Sequence, residues 1–111
     1  MNAIKKCTIQ NWTDPDLNPT GGTVEGIGLK IEWQNGPLGR DGERKEPNGA
    51  FVETVISAAL QRIEFYQNGG GGKFKSRENA IAITKLEEAL LWLDKRTRDR
   101  EARQVEGTHK I

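Results

Sequence analysis

Two periodicities divide the chain. From Ile27 to Trp33, the apolar residues Ile27, Leu29, Ile31 and Trp33 alternate with Gly28, Lys30 and Glu32. A period of two predicts a strand with one buried face. Cys7 and Ile9 repeat the pattern more weakly and predict another strand over Lys5 to Gln10. Between them, "DPDLNPTGG" is turn chemistry. After Trp33, "QNGPLGRDGERKEPNG" predicts a long polar loop, a length that in small domains is often functional or disordered.

Beyond this loop the period changes. Phe51, Val52, Val55, Ile56, Ala59, Leu60 and Ile63 recur at helical spacing. They predict a helix over 48–68, with Asn48 as N-cap and Asn68-Gly69 as the stop. Gly69 to Gly72 then predict a flexible link. A second helix is predicted over 76–104, with Ser76 as N-cap, Glu78 near the positive dipole end, and an apolar stripe of Ile83, Leu86, Leu90 and Leu93. From Arg77 to Arg103 it would run about 40 Å. Its last turns hold almost no apolar residue, so they either project into water or meet a partner. Residues 105–111 form a tail. The predicted fold class is α+β: a small N-terminal antiparallel β-sheet, within residues 1–47, followed by a two-helix hairpin. No internal repeat is visible, and residues 1–111 read as a single domain.

Composition narrows the function. A chain of 111 residues with 34% hydrophobic and 30% charged residues can build only a thin core. Domains of this size often gain stability by oligomerising. The formal net charge of +1 argues against a protein that coats nucleic acid, yet leaves room for a small anionic ligand at a local cluster. Cys7 is the single cysteine, so neither an intramolecular disulfide nor a cysteine zinc site is expected. With one His, no metal site is expected either. No apolar run suggests a signal peptide or a membrane span. A cytoplasmic protein with no membrane partner is the expectation.

No catalytic set emerges. "GGGGKFKS" fails the phosphate-loop pattern, because Gln67 holds the first glycine position and Phe74 follows the lysine. Nothing couples Cys7 to His109, and a buried, inert thiol is the expected role. Glu87 and Glu88 read as solvating charges on the exposed side of the second helix. The arginines are different. Arg96 and Arg100 lie one helical turn apart and Arg103 seven residues from Arg96, all on one face. Paired guanidinium groups grip neighbouring phosphates with forked hydrogen bonds. The plainer account is a solvated helix end balanced by Asp99, Glu101 and the helix dipole. Phe65, Tyr66 and Phe74, around the glycine run, offer flat faces for stacking a base, and Asn79 offers an amide for its edge.

"EWQNGPLGR", "EPNGAFVETVI", "RIEFYQ", "SRENAIAITKLEEALLWL" and "RTRDREARQVEGTH" together resemble the phage Thoeris anti-defence proteins of the first type. The resemblance covers most of the chain from Trp33 onward. It implies a protein that is not an enzyme and needs no cofactor. Such proteins bind cyclic ADP-ribose isomers made by bacterial TIR-domain proteins and hold them without degrading them. Members also capture cyclic oligonucleotide signals (cyclic di- or trinucleotides) at separate sites. They assemble as homodimers or homohexamers in the cytoplasm of the infected host, with ligand pockets shared between protomers. Carried over residue by residue, the stacking aromatic falls on Phe65 and the amide contact on Asn79. The phosphate-gripping arginines fall on Arg96 and Arg100, with Arg103 beside them, and a loop arginine on Arg40. Trp12 is a second stacking candidate, and Thr108 and His109 close the pocket. The alternative is a structural or protein-interaction module whose basic helix end is simply solvated.

Overall fold

The computed structural model describes residues 6–111. The fold class is α+β, and the chain divides into two compact units, described here separately. One holds the residues up to Phe51 together with Gln104–Ile111; the other is Val52–Arg103.

The first unit is built on a three-stranded antiparallel sheet in the order β1-β2-β3, with β1 Thr8–Thr13, β2 Pro19–Gly26 and β3 Leu29–Glu32. Asp14 organises the loop from β1 to β2. Its Oδ1 accepts the N–H groups of Asp16 and Asn18, each at 2.9 Å, and its Oδ2 accepts Asn18 Nδ2 at 3.1 Å. Hydrogen bonding by Asn18 to this carboxylate, aided by Asp16 and the nearby His109, holds its pKa below the ordinary value. The turn chemistry of "DPDLN" is realised, but the following "PTGG" opens β2 instead of extending the turn. That strand escapes periodicity because its glycines leave no alternation to detect.

The predicted strands also shift. β1 runs three residues past Gln10, and Cys7 precedes it, half-buried and not fully enclosed. Lys5 lies outside the described residues. Pairing of Gly26 with Leu29 makes Ile27 and Gly28 the hairpin turn, so Ile27 is exposed at the tip and not on a buried face. Of the alternating set, Ile31 alone is buried, and it is the only buried apolar side chain among the described residues.

Both ends of the long loop after β3 are pinned. Trp33 and Ala50 form a parallel bridge, with Ala50 N–H donating to Glu32 O at 2.8 Å and Gln34 N–H to Ala50 O at 2.9 Å. Asn48 is not a helix cap. Its Oδ1 accepts Asn35 N–H at 2.8 Å and its Nδ2 donates to Asn35 O at 3.2 Å, so its amide clamps the loop shut.

The second unit is a helical hairpin of α1 Val52–Asn68 and α2 Arg77–Ala102. α1 starts four residues after Asn48 because Asn48 and Ala50 are held by Glu32, Gln34 and Asn35. Val55, Ile56, Leu60 and Ile63 of α1 are half-buried, as are Ile83, Leu86, Leu90 and Leu93 of α2. The two predicted stripes pack on each other but leave no fully enclosed apolar side chain. Ser76 caps α2, its side chain accepting Asn79 N–H at 3.0 Å.

The glycine run is a built turn where a flexible link was expected. Gly69–Gly72 form a 3-10 segment in which Gly70, Gly71 and Gly72 have φ of 58°, 73° and 80°. Only glycine adopts three such left-handed values in a row at little cost. Gln67 closes the turn: its Oε1 accepts Ser76 N–H at 2.9 Å and its Nε2 donates to Ser76 O at 3.1 Å. The side-chain amide thus pairs with Ser76 as a strand backbone would.

Candidate functional site

The tip of the hairpin displays aromatic surface. The last turn of α1 carries Phe65 and Tyr66, the glycine turn carries Lys73 and Phe74, and the first turn of α2 carries Asn79. These residues, with Gly69 and Gly70, line a cavity of about 530 Å³. Phe65 and Tyr66 sit 6.0 Å apart between centroids, tilted by 56°. The Arg62 guanidinium lies 5.1 Å from the Phe65 centroid and 4.9 Å from that of Tyr66, and its Nε donates to Tyr66 Oη at 3.1 Å. Spacings of three and four residues bring Arg62 onto the same helix face as both rings, where cation–π attraction holds them. Phe65 remains 54% exposed and Phe74 68% exposed. Large apolar rings left in water gain free energy when a flat ligand or a partner covers them.

Asn79 serves two neighbours. Its N–H binds the cap at Ser76, and its Nδ2 donates to Phe74 O at 3.3 Å. No described donor binds its Oδ1. Of the site residues expected from sequence, Phe65 and Asn79 are therefore brought together. Arg62 and Lys73 were missed there, although the spacing of Arg62 to Phe65 and Tyr66 was a usable signal.

The arginines do not join this cavity within one hairpin. Asn79 precedes Arg96 by 17 residues and Arg100 by 21 along the continuous α2, which separates them by about 26 and 32 Å at 1.5 Å per residue. Their own surroundings also differ. Lys95 pairs with Asp99 and Arg98 with Asp94, each at 2.9 Å. The Lys95 hydrogen bond lowers the pKa of Asp99. Carboxylate balancing therefore acts on Lys95 and Arg98, while exposed Arg96 makes no ion pair with any described residue. Arg100 was expected to be exposed, yet it is 6% exposed and the one buried charged side chain among the described residues. A buried guanidinium is held by partners, so Arg100 belongs to the packing of the structure. Arg103 has left the helix as its C-cap, with its N–H donating to Asp99 O at 3.1 Å.

The remaining candidates lie in the sheet unit. Trp12 is on β1, 45% exposed, beside a bulge between Trp12 and Thr13. Arg40 is half-buried and extended, just before a 3-10 turn over Asp41–Glu43. The tail reaches this loop: Gly39 N–H donates to Gly107 O at 2.8 Å. Thr108 folds the tail on itself, its hydroxyl donating to Val105 O and accepting Lys110 N–H. His109 is exposed and close enough to Asp14 to act on its charge. Arg40, Thr108 and His109 are thus drawn into one neighbourhood by backbone pairing.

The family model for the Acb2/Tad1 hairpin domain matches residues 25–98, which include Arg40, Phe65, Asn79 and Arg96. A curated relative, "Thoeris anti-defense 1" of Bacillus phage SBSphiJ7, is 48% identical over 79 residues, covering 71% of this chain and 51% of that protein. The chain spans about half the length of this relative.

Proposed function

The chain belongs to the Acb2/Tad1 family through its hairpin domain, and from that premise we propose that it is a phage anti-defence sponge. It binds cyclic ADP-ribose isomers, holds them intact and so blocks Thoeris immunity in the cytoplasm of the infected host. Cyclic di- or trinucleotide signals are captured in the same manner at separate sites. The observation that carries this reading is the open aromatic cavity at the hairpin tip, where Phe65 and Asn79 meet. A flat base gains by stacking on Phe65, and the free Oδ1 of Asn79 accepts a base N–H.

Such a ligand also carries a pyrophosphate, which needs cations. Arg96 and Arg100 are about 26 and 32 Å from Asn79 along their own helix, so the arginines at a given cavity come from a second copy of the chain. Exposed Leu91 and Trp92, 64% and 70% exposed, give α2 an apolar patch that such an assembly, a homodimer or homohexamer, would cover. The thin core supports the same conclusion. Sequestration needs tight binding, slow release and no bond cleavage, with the protein in excess over the signal.

The test is direct. Purified protein is incubated with a cyclic ADP-ribose isomer, washed, then heated, and the released nucleotide is identified by mass spectrometry. A sponge returns the isomer unchanged. Release of a hydrolysed product makes the protein an enzyme, and recovery of nothing leaves an interaction module. Light scattering should report more than one chain per particle.

A further inference from the structure

The proposed reading assigns Phe65 and Asn79 to the tip cavity but leaves that cavity with one stacking face and no cation from its own chain. The glycine turn supplies both. It carries Phe74 and Lys73 to the same cavity. Phe65 pairs with Tyr66 only, and Phe74 meets no other ring among the described residues. Both rings border the cavity and do not pair with each other, so each has a face left for a ligand ring. Gly70 lines the cavity with bare backbone, and nothing lies within 4 Å of its Cβ position. A ligand can approach there as no side-chain-bearing residue would allow.

The cation follows the same logic. Lys73 Nζ rests 5.6 Å from the Phe74 centroid, an exposed contact of the weak kind that a phosphate easily displaces. Arg62 is held by Tyr66 and the Phe65 ring and does not line the cavity. Phe74 itself is anchored, since its carbonyl accepts Asn79 Nδ2 and ties the ring's backbone to the first turn of α2.

We infer that Phe74 and Lys73 are specificity-determining residues of the tip cavity: Phe74 is the second wall of a stack that clasps a nucleotide base, and Lys73 contacts that nucleotide's phosphate. This rests on the nucleotide-sequestering reading and deepens it. A base gripped on two faces leaves more slowly than one resting on a single ring, as a sponge requires.

Isothermal titration with a cyclic ADP-ribose isomer tests this on the 111-residue chain. Phe74→Ala and Phe74→Leu should each weaken binding about 5- to 150-fold, the range for losing one base–aromatic stack, while Phe74→Trp stays near the parent. Lys73→Gln should weaken the isomer severalfold, with a reduced salt dependence, and leave binding of the free nucleoside unchanged. Phe74→Leu binding like the parent would overturn the inference, because apolar cover without a flat ring would then suffice. Equal loss of isomer and nucleoside in Lys73→Gln would overturn the phosphate contact. Phe65→Ala separates the two levels. If it abolishes binding while the Phe74 and Lys73 variants bind as the parent does, this inference fails and the sponge stands. If the parent binds no isomer, the sponge itself fails.

Discussion

Mixing two defective chains gives a sharp test of the proposed shared pocket. Phe65→Ala removes a stacking face, worth about 1–3 kcal/mol for a base. Arg96→Ala removes a charge-assisted contact of similar size, and exposed Arg96 is a cleaner target than buried Arg100. The cavity of about 530 Å³ would be roughly 8 Å on a side if cubic. Arg96 of the same hairpin lies about 26 Å from Asn79, three times that width. A site that uses both residues must therefore draw them from two chains. In a mixed dimer of the two variants, one site has lost both residues and the other is intact. Random pairing makes half the dimers mixed, so co-expressed chains should capture about a quarter of the parental amount while each variant alone captures little. Differently tagged chains, isolated by sequential affinity steps, confirm co-assembly, and the heated eluate is quantified by mass spectrometry. Mixed particles that capture no more than the single variants refute the shared pocket.

Three further outcomes follow from the fold. Gly49→Ala places a Cβ 2.6 Å from the Trp33 carbonyl group and 2.7 Å from Gln34 N, so it should lower stability by about 1–3 kcal/mol, read by urea denaturation; an unchanged midpoint would show that the Trp33–Ala50 bridge is not rigid. Gln67→Ala removes both hydrogen bonds to Ser76 and should cost about 1–3 kcal/mol with faster hydrogen exchange at Ser76, whereas Gln67→Glu keeps the acceptor for Ser76 N–H and should retain protection there. Asp14 has a folded pKa below its unfolded value, so its stabilisation is present above about pH 4 and is lost as pH falls through the lower folded value. The stability gap between the parent and Asp14→Ala should shrink on acidification, and a constant gap from neutral pH to about pH 2 would show that the charge is not involved.

The helices were legible because their information is local. Ser76 caps α2 as its position before "RENA" predicts, and the Ile83–Leu93 stripe faces α1 because helical spacing fixes which side chains share a face. The sheet was read less well. β2 contains Gly21 and Gly22, which carry no pattern, and only pairing with both neighbours makes that segment a strand. Ile27 alternates as well as Ile31, yet strand register puts one in a turn and the other in the core. Asn48 has the chemistry of a cap, and a distant backbone at Asn35 takes it instead.

The site divides on the same physical line. By itself the sequence determined which chemistry is present: flat rings around a glycine run, an amide one turn into a helix, and arginines at its far end. Tertiary structure decided what meets what. It closed Phe65, Phe74 and Asn79 around one cavity through a turn that Gln67 clasps, and it buried Arg100 where exposure was expected. A straight helix keeps Arg96 far from Asn79, because rise per residue converts sequence separation directly into distance. Local spacing fixes direction and length along one element; burial and pairing depend on contacts between segments far apart in the chain, which no local pattern encodes.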